Sequence, residues 1–339
     1  MMVRWLVWVL VLLLYLAAFR DLAKTVQQQV PDDPRCSWSA LLSDTAHRPY
    51  IHRTLVPSVV RGLVAITPYW VRQRLEGPAA RVAGNLEDSP EKTFDLAVAF
   101  AVAMGCLLAF VFVLVLLLDE AYEYPAWVPW LAPFGVLMML RLDMWYWFYI
   151  YDSATLLLSA LMILFLMRAQ LVPYFAVYSL ALLNKETAVF AIGAYVAFQL
   201  GRQSKRRVAL GVAAQVAVFA LIKAALTYRF SGSPGGMVEW QIQNNFAFLS
   251  TITVRSVFFY FLSLLYAGLV FSHWSSKPMV LRHAFVFQLA PLVALSLIWG
   301  HLQELRIFYD VLPLVFLLSV PTVVGALGIV DSPYRLRRA

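Results

Sequence analysis

Apolar positions along this chain gather into ten runs separated by polar stretches. They cover Val3 to Phe19, Thr93 to Leu118, Trp127 to Leu140, Trp145 to Met167, Leu171 to Leu183, Ala188 to Leu200, Val208 to Tyr228, Thr251 to Phe271, Ala284 to Gly300 and Ile307 to Leu327. Several reach the roughly 20 residues that cross a bilayer core. The pattern predicts an all-α, polytopic membrane protein with about ten transmembrane helices. Three runs, near residues 130, 177 and 194, hold only about 13 or 14 residues, which predicts short, broken or partly inserted helices. No internal repeat or heptad pattern is visible. Residues 1–339 are therefore expected to form a single transmembrane domain.

The longest polar stretch, residues 20–92, carries a pattern of its own. Leu55, Val56, Val59, Val60, Leu63, Val64 and Ile66 recur at near-helical spacing, interrupted by Pro57 and Pro68 and flanked by Arg53, Arg61, Arg72 and Arg74. That spacing predicts an amphipathic helix lying in the membrane interface, packed on the other helices, or both.

Composition agrees with the run pattern: 62% of residues are hydrophobic and 14% charged, against roughly 45–50% and about 25% in a soluble domain. The net charge of +8 is scattered between apolar runs instead of forming a solvated basic face, which excludes nucleic acid as a partner. The two cysteines, Cys36 and Cys106, form neither a disulfide framework nor a metal-ligand spacing.

Lysine and arginine over short loops set the expected orientation. Arg4, Arg168, the cluster Arg202, Lys205, Arg206 and Arg207, then Lys277, Arg282, Arg335, Arg337 and Arg338 fall on one side; Arg141, Lys185, Arg229, Arg255 and Arg306 fall on the other. A bias of about two to one places both termini in the cytoplasm. Residues 20–92 then form a long first extracytoplasmic loop. The first run is expected to be retained, since Leu16-Ala17-Ala18-Phe19-Arg20 is a poor signal-peptide cleavage site.

Charges inside apolar runs are costly and usually face a protein interior or a water-filled cavity. Asp152, about seven residues into its run, and Lys223, Arg255 and Asp310 near the ends of theirs all fall in the outer half. This predicts a polar cavity opening outward, or pairwise neutralisation such as Asp152 or Asp310 against Lys223. The outward segments add Asp32, Asp33, Asp44, His47, Arg48, His52 and Arg53, then Asp143, the Asn184-Lys185-Glu186-Thr187 turn, and His301, Gln303, Glu304 and Arg306. A carboxylate there can act as general base toward an acceptor hydroxyl, while Arg, Lys and His can hold a phosphate and stabilise the charge on a leaving group. Bland readings stand beside each: a solvated turn for Pro31-Asp32-Asp33-Pro34, an ion pair closing a hairpin for Lys185-Glu186, and local hydrogen bonding for each histidine. The aromatic run Trp145, Tyr146, Trp147, Phe148, Tyr149 and Tyr151 suits interfacial anchoring better than stacking on a sugar.

Three short stretches then invite comparison: Asp32-Asp33-Pro34 in the long first loop, LALLNKETAVF ending at Phe190, and HLQELRIFYDVLPL from His301 to Leu314. With them the chain resembles the GT-C superfamily of membrane glycosyltransferases, which take a sugar from a polyprenyl-phosphate or related lipid donor on the extracytoplasmic side. The first stretch is similar to the DDx form of that superfamily's acidic motif. The second is similar to its Lys/Arg-Glu turn between helices. The third is similar to the HKE-x-RF signature of the mannosyltransferase branch, from which Gln303 and the spacing depart. At 339 residues the chain is short for the superfamily, which implies a core-only enzyme or a reduced, non-catalytic relative.

The resemblance implies Asp32 or Asp33 as the general base, with Asp44 as a substitute. Arg48, His52, Arg53, Lys185 and Arg306 would hold the donor phosphate, with Asp152, Glu186, His301 and Glu304 also on the substrate. It further implies a bacterial plasma (inner) membrane, a lipid-linked sugar donor, and a glycan, lipid or protein acceptor. Paired carboxylates are able to bind Mg or Mn, but a base needs no metal, so the cofactor is left open. The alternatives are a transporter or lipid flippase, with Asp152, Lys223 and Asp310 as its coupling site, an O-antigen-type polymerase or ligase, and a non-catalytic subunit of a membrane complex.

Overall fold

A computed structural model describes residues 2–84, 86, 92–144, 147–236 and 240–334. The chain runs through α1 (Met2–Gln28), then α2 (Trp38–Leu42), α3 (Leu55–Ile66) and α4 (Tyr69–Ala83) in the long polar segment. After these come α5 (Thr93–Ala121), α6 (Val128–Asp143), α7 (Asp152–Met167), α8 (Leu171–Asn184) and α9 (Ala191–Gln199). Then follow α10 (Lys205–Arg229), α11 (Ile242–Ser250), α12 (Val254–Phe271), α13 (Met279–Trp299) and α14 (Leu312–Ala326). Short 3-10 segments, Glu186–Phe190 and Leu305–Val311, lead into α9 and α14. No strand forms among the described residues.

Five helical stretches among the described residues are long and apolar enough to cross a membrane: α5, α10, α12, α13 and Leu305–Ala326, which ends in α14. That is the make-up of an integral membrane protein. The other apolar runs fall on α1, α6, α7, α8 and α9. The basic tail residues Arg335, Arg337 and Arg338, and the aromatic residues Trp145 and Tyr146, lie outside the described residues.

The core is built on α5 and α7, which pack along each other. At 16 residues α7 is only about 24 Å long, short for a bilayer core. Its length is not set by lipid, because α5, α8, α9 and α14 surround it and 12 of its residues are buried. Tyr174 near the start of α8 stacks on Tyr195 in the middle of α9, 5.7 Å apart. Gly193 lets α9 lie against α13, since a Cβ there would come within 2.5 Å of the Phe287 carbonyl oxygen. Gly201, at φ 98°, turns the chain between α9 and α10, a backbone state open to glycine at little cost. Ser204 then caps α10 through its hydroxyl, and Thr253 with Ser256 forms a capping box on α12.

The aromatic run before α7 differs from its expected role. The expected helix from Trp145 begins only at Asp152, and Phe148, Tyr149 and Tyr151 are fully buried. Asp152 Oδ2 accepts the Tyr149 N–H at 2.8 Å, so Asp152 sits on the first turn of α7 and not seven residues down it. Tertiary bonds hold this stretch in place. Phe148 N donates to the Gln29 carbonyl at 2.6 Å, and the Trp38 indole donates to the Phe148 carbonyl at 3.2 Å.

Helix α3 has one buried and one exposed apolar face. Val56 and Val60 are buried in a helix that packs on α5 and α8, while Val59, Leu63 and Ile66 remain exposed beside Tyr69 and Trp70 of α4.

Candidate functional site

One end of the bundle collects the polar residues. The start of α7, the end of α8, the Glu186–Phe190 turn, the C-terminal half of α10 and the 301–311 stretch meet there beneath the loop 46–54. Thr54 N donates to the Leu183 carbonyl at 2.9 Å, fixing that loop to α8. Between these elements lies a cavity of about 320 Å³ whose wall includes Arg53, Lys185, Glu186, Lys223, Glu304 and Arg306, a volume at the low end for ligand sites. His301 also lines it.

Each cation is held by named partners. Arg53 reaches both carboxylate oxygens of Glu186, at 3.2 and 3.5 Å, and donates to the Tyr151 hydroxyl. Its guanidinium carbon lies 4.4 Å from the Tyr151 ring centroid. Arg306 hydrogen-bonds Glu304 and approaches Asp152 Oδ1 at 3.8 Å. Lys185 Nζ is 3.7 Å from Asp310 Oδ2 and donates to the Arg306 carbonyl at 3.5 Å. Thr187 donates to the same Asp310 oxygen at 2.6 Å. Asn184 donates to the Tyr151 carbonyl and the Thr155 hydroxyl, which anchors the turn that carries Lys185 and Glu186.

Lys223 is different. Its Nζ is 3.5 Å from His52 Nδ1, and among the described residues no carboxylate lies within 4 Å of it. The cavity thus holds one cation without a direct counter-ion. Burial, and then the nearby Lys223 charge, push the His52 imidazole below its ordinary value, so its neutral form is favoured. Burial works to raise Glu186, yet the Arg53 and Lys223 charges and the Arg53 hydrogen bonds pull it down to about 2. Glu186 is a fixed anion and a poor proton acceptor near neutral pH.

The acidic residues of the first loop do not line this cavity. Asp32 is exposed. Asp33 is clasped by Arg35, at 2.6 Å from Nη2 to Oδ2, and this hydrogen bond is the main reason its carboxyl is held below the ordinary range. Asp44 pairs with Arg61 at 2.9 Å and Arg229 at 3.6 Å. Arg48 is half-buried on the loop, where its N–H donates to the Pro234 carbonyl at 2.8 Å; it too stays off the cavity wall. His52 sits just behind that wall, in a small space shared with Glu186 and Lys223.

The structure therefore brings together Arg53, Asp152, Lys185, Glu186, His301, Glu304 and Arg306, and leaves Asp32, Asp33, Asp44 and Arg48 aside. The neutralising pairs also differ from those expected: Asp310 faces Lys185 and Asp152 faces Arg306, while Lys223 faces His52. Sequence reasoning missed the stacking role of Tyr149 and Tyr151, for which the aromatic run was the available signal. No group of three or more His, Cys, Asp or Glu suited to a metal occurs among the described residues.

Chemically, this is a preorganised basic cavity. Two guanidinium groups have tyrosine rings against them, which restrains their planes, and the carboxylates of Glu186 and Glu304 stand beside them on the cavity wall. No known family model, curated protein or solved structure matches the chain.

Proposed function

We propose that the protein is a membrane glycosyltransferase of GT-C type, moving a sugar from a polyprenyl-phosphate-linked donor to an acceptor on the extracytoplasmic side. About ten membrane crossings, counting the short helices, would put both termini in the cytoplasm of a bacterial inner membrane. The exposed apolar faces of α3 and α4 would rest in the outer interface. The observation that carries the reading is the cavity in which Arg53, Lys185, Lys223 and Arg306 converge with Glu304. Such cations suit the phosphate of a donor and the charge it acquires on leaving.

In the displacement the acceptor oxygen bonds to the anomeric carbon as the bond from that carbon to the phosphate oxygen breaks. The phosphate leaves with the electron pair, and the acceptor proton passes to a carboxylate. Two positions compete for that base. The family resemblance points to Asp32 or Asp33; the cavity favours Glu304, which stands on the wall beside the cations.

The experiment is transfer of labelled sugar from polyprenyl-phosphate donors by the full chain in reconstituted vesicles. Glu304→Gln is expected to lower transfer by roughly 100-fold or more, the scale of a lost general base, with Asp32→Asn and Asp33→Asn near wild type. The reverse pattern returns the base to the first loop. Lipid-linked sugar crossing the membrane with no covalent product in any assay would replace this reading with transport.

A further inference from the structure

The opposite end of the bundle carries a cavity of about 300 Å³, between the ends of α5, α7 and α9 and the start of α13. The start of α7 belongs to the basic cavity and its end to this one, so the two are separated by about 24 Å, the length of that 16-residue helix. The wall is of two kinds. Phe198 and Leu281 are buried and Val280 stands beside them, while Arg168, Arg202 and Glu120 supply the polar part.

The last turn of α7 brings the two arginines together. Arg202 Nη1 donates to the Leu166 carbonyl at 2.9 Å and the Met167 carbonyl at 3.4 Å, the two residues that precede Arg168 in the chain, and its guanidinium carbon lies 5.9 Å from the Phe198 ring centroid. Arg168 Nε donates to Glu120 at 3.3 Å. Each guanidinium is thus held through one nitrogen, and among the described residues neither makes a further hydrogen bond. Both side chains stay accessible: Arg168 is 36% exposed, and Arg202 is exposed as well.

The surroundings add to the charge. Lys205, Arg206 and Arg207, all exposed, follow on the first turn of α10, whereas Glu120 is the one carboxylate on the cavity wall. Paired guanidinium groups match a phosphate, and basic pockets between membrane helices suit lipid headgroups. A free phosphate ion would use the cations but gain nothing from Phe198, Val280 and Leu281. An amphipathic anion uses both parts of the wall.

We propose that this cavity binds the headgroup of an anionic phospholipid, with its phosphate between Arg168 and Arg202 and its glycerol and upper acyl region against Val280 and Leu281. A choline headgroup is disfavoured, because its ammonium would face the same cations. The site goes beyond the transfer reaction and stands whether or not the basic cavity handles a lipid-linked sugar.

The test is native mass spectrometry of the full chain, solubilised in detergent and given equal amounts of dioleoyl phosphatidylglycerol and dioleoyl phosphatidylcholine. Phosphatidylglycerol adducts are expected to exceed phosphatidylcholine adducts about 10-fold, the scale of one charge-assisted hydrogen-bonded pair. Arg168→Gln and Arg202→Gln should each lower that ratio, and the double variant should bring it near one. Arg229→Gln, at the other end of the bundle, should leave it unchanged. Glu120→Gln, which releases Arg168 from its pair, should raise it, a gain that misfolding cannot mimic. Equal adducts of the two lipids in the wild type would overturn the proposal. So would a fall in the ratio for Glu120→Gln, or a preference that survives the double arginine variant and therefore belongs to another site such as the basic cavity. Full displacement of phosphatidylglycerol by excess inorganic phosphate would make the ligand a free anion and also overturn it.

Discussion

The guanidinium carbon of Arg306 sits 3.8 Å from the centroid of the Tyr149 ring, and that ring also stacks near-parallel with Tyr50, at 5.6 Å, and with Tyr151, at 5.2 Å. Arg53 completes the assembly over Tyr151. The tyrosines hold both arginines on the cavity wall where carboxylates alone would leave the side chains free to rotate. Tyr149→Phe keeps the ring and is expected to change stability little. Tyr149→Leu loses a desolvated cation–π contact and its stacking partners, a loss of about 2 kcal/mol. Thermal unfolding of the two variants in the same detergent checks the contrast.

Lys185 and Asp310 form a nearly water-free pair, 3.7 Å apart, with side chains 5% and 2% exposed. Removing one partner strands the other charge in the interior. Lys185→Met and Asp310→Leu are each expected to cost about 3 kcal/mol or more. The double variant removes both desolvation penalties and should recover most of that stability. Unfolding midpoints of the wild type, both single variants and the double variant form the cycle that decides it. Additive losses would mean that the charges are stabilised separately.

Much of this site could be read from the chain, and the part that could not has a physical cause. Runs of apolar residues and the scarcity of charge mark the membrane class, and the positions of Asp152, Lys223 and Asp310 near one end of their runs place them on one face of the bundle. Position along a helix does not determine rotation about its axis, which is why the partners of Asp310 and Asp152 are Lys185 and Arg306 and not Lys223. Local competition hid the rest. Asp33 has its arginine two residues away, and Asp44 is taken by Arg61 and Arg229, so an acidic loop pattern does not reveal whether its carboxylates are free. The Trp145–Tyr151 run has the composition of an interfacial anchor, but tertiary bonds to Gln29 and Trp38 keep the described residues 147–151 from becoming helical.

Gly193 couples packing to the site from a distance. A methyl group there would meet Phe287 O at 2.5 Å and Phe287 C at 2.6 Å, backbone atoms of α13 that cannot rotate away. One residue on, Gln288 donates to the Asp310 carbonyl at 3.0 Å, so moving α13 pulls on the residue that faces Lys185. Gly193→Ala is expected to destabilise by about 1–3 kcal/mol, the range for overpacking a tight contact. It should also weaken anion binding in the basic cavity, read as loss of protection by inorganic phosphate against thermal unfolding. Gly268→Ala, at a position with open space around it, is the matched control and should do neither.

Glu186 makes the acid stability of the protein a measurable consequence of the site. Its carboxyl falls from an ordinary value of 4.5 to about 2, because the Arg53 and Lys223 charges outweigh the burial that acts to raise it. A depressed carboxyl binds fewer protons in the folded chain than in the unfolded one, so it stabilises the fold fully above pH 4.5 and loses that contribution as pH falls toward 2. His52 adds a separate window. Its value is held below 6.5, so the unfolded chain takes up a proton first and stability declines as pH drops below 6.5. Denaturation curves from pH 7 to pH 2 should therefore show two descending steps. Glu186→Gln is expected to flatten the lower step and leave the upper one; His52→Phe, which keeps the ring against Phe230, should flatten only the upper one. A lower step that persists in Glu186→Gln would mean that the Arg53 pair does not carry the acid sensitivity of this end of the bundle.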